Sequence, residues 1–312
     1  MMKNLRTSIV LAVILGAVAV AFPASAKDLK VVASFSIIAD FARNVGGDRI
    51  ELTTLVGPDG DAHVYEPKPA DAVAMAAADV VLVNGLRFEG FLQRLVDASA
   101  TKAAIVELAK GAEVITMGIH DHEAESGSTP HGHGPGDVDP HAFQSIPNAE
   151  IYVSNIAEAF CTADTDGCDH YHANAEAYKA KLKALDAEVR ASIGSIPPDK
   201  RVVITSHDAF GYLGHEYGIT FLAPEGMSTE AEASAADVAA LIRQVKGDKA
   251  SAIFVENVTD PRLVEQIASE TGLKLGGTLF SDALSAEGGP APTYIVMMRH
   301  NITAIRGAVI GS

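Results

Sequence analysis

The chain has 312 residues, 48% of them apolar and 21% charged, with no Trp: the make-up of a globular protein long enough for about two domains. Forty acidic residues against 24 basic ones leave a formal charge of −16, which repels phosphate backbones and excludes general binding to nucleic acid or to anionic membranes. Two Cys are too few for an all-cysteine zinc site or a thiolate-held iron–sulfur cluster, so any metal must be held mainly by carboxylates and the eleven His.

At the start, Lys3 and Arg6 precede an apolar run from Ile9 to Phe22 that is too short to span a bilayer, and Ala24-Ser25-Ala26 supplies a small-residue cleavage pattern. Residues 1–26 read as a secretory signal peptide, and the remainder as a soluble periplasmic protein. Leu29 to Ala33, Ile50 to Val56 and Asp79 to Val83 read as strands. Ile37, Ile38, Phe41 and Val45 at helical spacing, and the Ala-rich stretch Ala70 to Ala78, lie between them. From Thr116 to Pro140 the apolar period stops, and a long loop carries His120, His122, His131 and His133 among Asp121, Glu123 and Glu125.

Cys161 and Cys168 flank a polar, turn-forming stretch. In an oxidising compartment a disulfide between them is expected, with two free thiols holding a metal as the alternative. Tyr178, Leu182, Leu185, Val189 and Ile193 then mark one face of a helix over about 172–193, which Pro197-Pro198 ends. The second half restarts the alternation. Arg201 to Thr205, Ala252 to Val255 and Leu273 to Phe280 read as strands. Helices are expected around Ala209 to Tyr217, Ala236 to Val245 and Leu263 to Ser269, and in a final stretch carrying Tyr294, Met298, Asn301, Ile302, Ile305 and Val309. The expected fold is α/β: two lobes of mostly parallel sheet flanked by helices and joined by one long helix. The expected divisions are a signal peptide (1–26), an N-terminal metal-binding lobe (27–170, with the His-rich loop at 116–140), a linking helix (171–196) and a C-terminal metal-binding lobe (197–312).

Ligands of open α/β sheets bind beyond the carboxyl ends of the strands. Four chemically capable residues sit just after predicted strands or at loop ends: His63 and His141 in the first half, with His141 closing the long loop, and His207 and Asp282 in the second. Three imidazole nitrogens and one carboxylate oxygen make a complete tetrahedral shell for Zn2+, whereas Mn2+ prefers more oxygen. A single His at a loop end more commonly serves as a surface or hydrogen-bonding residue, so position alone leaves these four as candidates.

Five stretches sharpen the reading. They are Asp61-Ala62-His63-Val64-Tyr65-Glu66-Pro67-Lys68-Pro69-Ala70-Asp71, the run Asp139 to Ala149, the run Ser206 to Tyr212, Phe254-Val255-Glu256-Asn257, and the run Leu279 to Leu284. Together and in this order they resemble the motifs of the solute-binding proteins of zinc and manganese ABC importers, the cluster A-I family, and within it the zinc-binding AztC type.

That resemblance implies that His63, His141, His207 and Asp282 ligate one Zn2+, that the helix between the lobes is rigid, and that the protein hands its metal to an importer permease. It also bears on the metal. Manganese-type members carry Glu where this chain has His207, and replacing a carboxylate by an imidazole favours Zn over Mn. His120, His122, His131 and His133 resemble the loop of zinc-type members and are expected to form an accessory capture arm, with a periplasmic zinc chaperone as a possible donor. Glu66, Asp139, Asp208 and Glu256 are candidates to orient the ligating imidazoles; His170, His172, His215 and His300 are read as structural. A zinc hydrolase is the rival of a different class, but four protein ligands close the shell that a catalytic zinc keeps open, and no H-E-x-x-H, G-x-S-x-G or P-loop motif occurs. A monomer is the default expectation.

Overall fold

The computed structural model describes residues 28–116, 138–231, 233–248 and 250–311. The expected signal peptide and His120, His122, His131 and His133 lie outside these residues.

Strand β1 (Leu29–Phe35) is buried along almost its whole length, as a strand covered on both faces must be. It pairs in parallel with β2 (Ile50–Val56) and β3 (Val80–Val83), and β4 (Ala104–Glu107) closes the far edge, giving the order β2-β1-β3-β4. The second lobe repeats the plan with β5 (Val202–Ile204), β6 (Thr220–Leu222), β7 (Ala252–Glu256) and β8 (Leu275–Leu279), all parallel in the order β6-β5-β7-β8. In both sheets the direction of winding reverses beside the central strand, which opens a crevice at the carboxyl ends.

The first lobe carries α1 (Ser36–Gly46), α2 (Pro69–Ala77), α3 (Leu92–Ser99) and α4 (Ile146–Ala163). The second carries α6 (Gly211–Tyr217), α7 (Ala235–Asp248), α8 (Arg262–Thr271) and α9 (Tyr294–Ile310). Between them runs α5 (Cys168–Gly194), whose 27 residues span about 40 Å at 1.5 Å per residue. All five residues of the apolar stripe expected on it are buried; fully burying a Leu or Ile there contributes about 1.5–3 kcal/mol. The helix begins at Cys168, so the expected boundary between residues 170 and 171 falls inside it. A short 3-10 turn, Thr165–Gly167, folds the chain back early, with the Asp164 carboxylate accepting the Gly167 N–H. Cys161 and Cys168 are disulfide-bonded across this turn.

Helix α5 packs on α1 and α4 of the first lobe and on α6 and α9 of the second. Polar ties reinforce the apolar ones. The buried Asp40 of α1 accepts the Tyr178 hydroxyl of α5 (3.3 Å) and the Tyr294 N–H that opens α9 (3.0 Å), placing a carboxylate at a helix N-terminus. Burial pushes the Asp40 pKa up, and these donors oppose the shift. One core therefore runs from Val31 and Phe41 through Leu182 to Phe254 and Met298. A smaller cluster around Ile204, Leu241 and Val264 lies in the second lobe. Among the described residues no helix is long and apolar enough to cross a membrane.

Candidate metal centre

His63 lies in the loop that follows β2, and the Asp61 carboxylate accepts its backbone N–H at 2.8 Å. His141 precedes the 3-10 turn Ala142–Gln144, where Gln144 N–H bonds to the His141 carbonyl at 2.9 Å. His207 follows β5, and Glu256 at the end of β7 holds that turn: its Oε1 accepts the Ser206 and His207 N–H groups at 2.7 and 2.9 Å. Asp282 follows β8. Asn301 of α9 grips its approach, accepting the Phe280 N–H (2.9 Å) and donating to the Phe280 carbonyl (2.8 Å).

The fold brings all four residues together in the crevice between the lobes, with ligating atoms within 4.8 Å of one another. His63 Nε2 is 3.3 Å from His141 Nε2 and 3.3 Å from Asp282 Oδ2. His207 Nε2 is 3.1 Å from Asp282 Oδ2, and His141 Nε2 is 3.6 Å from Asp282 Oδ1. A tetrahedron with ligands at 2.0–2.1 Å from its centre has edges of about 3.3–3.4 Å, so the spacing suits one small divalent ion. Asp282 Oδ1 is buried, with His141 Nε2 at 3.6 Å beyond ordinary hydrogen-bond length, so its lone pairs are open to a cation. His141, His207 and Asp282 are wholly buried, and His63 keeps 6% of its surface exposed.

Two further carboxylates set the direction of the imidazoles. Asp139 Oδ1 accepts both the backbone N–H (2.9 Å) and Nδ1 (2.7 Å) of His141, and Glu256 Oε2 stands 2.7 Å from His207 Nδ1. Each selects the tautomer with hydrogen on Nδ1 and turns the Nε2 lone pair to the centre. Of the four candidates for this role, Asp139 and Glu256 fill it; Glu66 is exposed, and Asp208 is partly buried with its backbone N–H on the Gly226 carbonyl. Of the histidines read as structural, His170 pairs with Asn174 at 3.0 Å and His300 with the Thr278 carbonyl at 3.0 Å.

Three buried carboxylates in one crevice govern its protonation. Burial opposes charge on His141, but Asp282 and then Asp139 outweigh it and raise its pKa from 6.5 to about 9. His207 is likewise raised well above its ordinary value, burial being overcome by Glu256 and Asp282. Burial would neutralise Asp282, yet the two imidazolium charges hold it well below the usual carboxylate range. These shifts favour proton retention on His141 and His207 in the metal-free centre, so an incoming divalent ion would have to displace protons there.

Phe88 is a part of the site that carries no sequence signal. Its ring lies 4.8 Å from the His63 ring and 5.7 Å from that of His141, and packs on Phe35 and Phe143 behind them. It sits after Gly85, Leu86 and Arg87, all at positive φ. Glu89 secures this strained turn by accepting the Ser34 hydroxyl and the Asn84 N–H, both at 2.6 Å. Burial raises the Glu89 pKa to about 7 against these donors.

Comparison with known proteins agrees with this architecture. Residues 31–308 match the family model described as ZnuA, zinc-uptake complex component A periplasmic. The iron-binding protein YfeA of Yersinia pestis is 33% identical over 281 residues, 90% of this chain and 86% of that protein. The manganese-binding lipoprotein MntA of Bacillus subtilis (strain 168) is 34% identical over 291 residues, 91% of this chain and 90% of the relative. The solved structure of the periplasmic zinc binding protein TroA from Treponema pallidum matches with a TM-score of 0.80 at 30% identity, covering 91% of this chain and 99% of that one. Iron, manganese and zinc thus all occur in the names of similar proteins. The chain belongs to the ZnuA family of metal-binding substrate-binding proteins of ABC importers, which are carriers and not enzymes.

Proposed function

We propose that this protein binds one Zn2+ through His63, His141, His207 and Asp282 in the periplasm and delivers it to the membrane permease of an ABC importer. The observation that carries the reading is the donor set: three imidazole nitrogens and a single carboxylate, converging within 4.8 Å of one another and with several pairs 3.1–3.6 Å apart. The imidazole of His207 weighs against manganese, which is better served by oxygen. Four protein ligands leave no open position for a reactive water, consistent with carriage rather than hydrolysis. His120, His122, His131 and His133 supply a capture arm that loads the centre, with a periplasmic zinc chaperone as its donor. The protein acts as a monomer after removal of residues 1–26.

The ties through Asp40, Tyr178 and Tyr294 hold the lobes at the rear, so release proceeds by local movement of the His63 loop rather than by wide closure. The test is native mass spectrometry of protein purified without added metal and then offered equal Zn2+ and Mn2+. One bound zinc is expected, not displaced by Mn2+; retention of manganese or iron would overturn the zinc assignment.

A further inference from the structure

His172 lies one helical turn beyond Cys168 on α5, and Cys161 approaches from the last turn of α4. The two sulfurs and a ring nitrogen of His172 all fall within 4.8 Å of one another. The i, i+4 spacing puts Cys168 and His172 on one face of the helix. We propose that the reduced Cys161–Cys168 pair and His172 form a second, thiolate-based Zn2+ site, which the disulfide closes.

Two sulfurs and one nitrogen suit zinc, and the thiolate is the form that binds. Cys168 is the first residue of α5, where the helix dipole favours a thiolate. Glu158 Oε1 stands 3.8 Å from His172 Nε2 and offers an oxygen for the fourth position. The turn that presents these groups is held by more than the sulfur bridge. Asp164 is held by Arg49 Nη2 at 2.7 Å, by the Tyr171 hydroxyl at 2.8 Å and by the Gly167 N–H at 3.2 Å, and α4 packs along α5. On this proposal these contacts keep the two thiols adjacent after reduction.

The chemistry balances with a dithiol as reductant. Its two sulfurs join as a disulfide, and its two electrons and two protons pass to Cys161 and Cys168, breaking their bond and leaving two thiols. Zn2+ then displaces two protons as two Zn–S bonds and one Zn–N bond form. Zinc on these thiolates withholds them from oxidation, and oxidation excludes zinc.

Co2+ is the probe, because the His63, His141, His207 and Asp282 centre contains no sulfur. Oxidised protein and dithiol-reduced protein, freed of reductant without air, are titrated with Co2+ and then Zn2+. Reduction should add one equivalent and a near-ultraviolet thiolate-to-cobalt charge-transfer band, which Zn2+ abolishes. The C161S/C168S double variant should lose both the band and the added equivalent while retaining its far-ultraviolet circular dichroism, and His172→Ala should lose the added equivalent. A reduced protein with no band and no added equivalent, a double variant that keeps the equivalent, or a reduced chain that unfolds would overturn the proposal.

Discussion

Lowering the pH from 7 to 6 should weaken zinc binding about 100-fold. At pH 7 the metal-free centre is expected to carry protons on His141, with a pKa of about 9, and on His207, which is also raised well above its ordinary value. Asp282 is held ionised through this range and contributes no proton. Binding must therefore release about two protons, and each makes the affinity change about tenfold per pH unit, or about 2.7 kcal/mol for the two together. Isothermal titration in buffers of different ionisation enthalpy counts the protons, and competition with a chromophoric chelator at pH 6, 7 and 8 measures the slope. The sign for folding is opposite. A pKa raised from 6.5 to about 9 stabilises the metal-free fold fully below 6.5, and that contribution is lost as the pH rises through about 9. Release of less than one proton, or an affinity change below tenfold between pH 7 and 6, would refute the protonated-centre argument.

Other perturbations test separate parts of the site. Glu256→Gln should lower zinc affinity about 10–100-fold, because the carboxylate orients His207 without touching the ion; an unchanged Kd by chelator competition would remove it from that role. His207→Glu should shift preference toward Mn2+ in paired competition titrations, and undiminished zinc selectivity would contradict the softness argument. Phe88→Ala should cost about 3–5 kcal/mol in denaturant unfolding, since its ring fills the space behind His63 and His141; a loss below about 1 kcal/mol would show that this packing is dispensable. Deleting residues 118–136 should leave the equilibrium affinity intact but slow loading in stopped-flow measurements, and unchanged kinetics would count against the capture arm.

Three of the candidate ligands were readable because each stands where an apolar strand gives way to a polar turn: Leu55-Val56 before the His63 loop, Val203-Ile204 before His207, Leu279-Phe280 before Asp282; His141 instead closes the long loop and was marked by its surrounding motif. The linking helix was readable because its buried stripe recurs at helical spacing from Tyr178 to Ile193. Strands β4 and β6 were not. Both are short sheet edges, and Ala104 to Glu107 and Thr220 to Leu222 are mostly exposed or half-buried, so they lack the apolar run that identifies a central strand. Asn301 looked like one more member of the α9 core stripe. Its clamp on Phe280 depends on which residues α9 meets across the fold, and no local pattern encodes that. Phe88 follows three left-handed residues and has no periodicity at all, so its place against the imidazoles comes from tertiary packing alone.

X-ray absorption at the zinc edge of the loaded protein tests the central claim most directly. The account predicts a four-coordinate ion with three imidazole nitrogens and one carboxylate oxygen at about 2.0–2.2 Å. A five- or six-coordinate shell filled out by water, or fewer than three imidazoles, would contradict it.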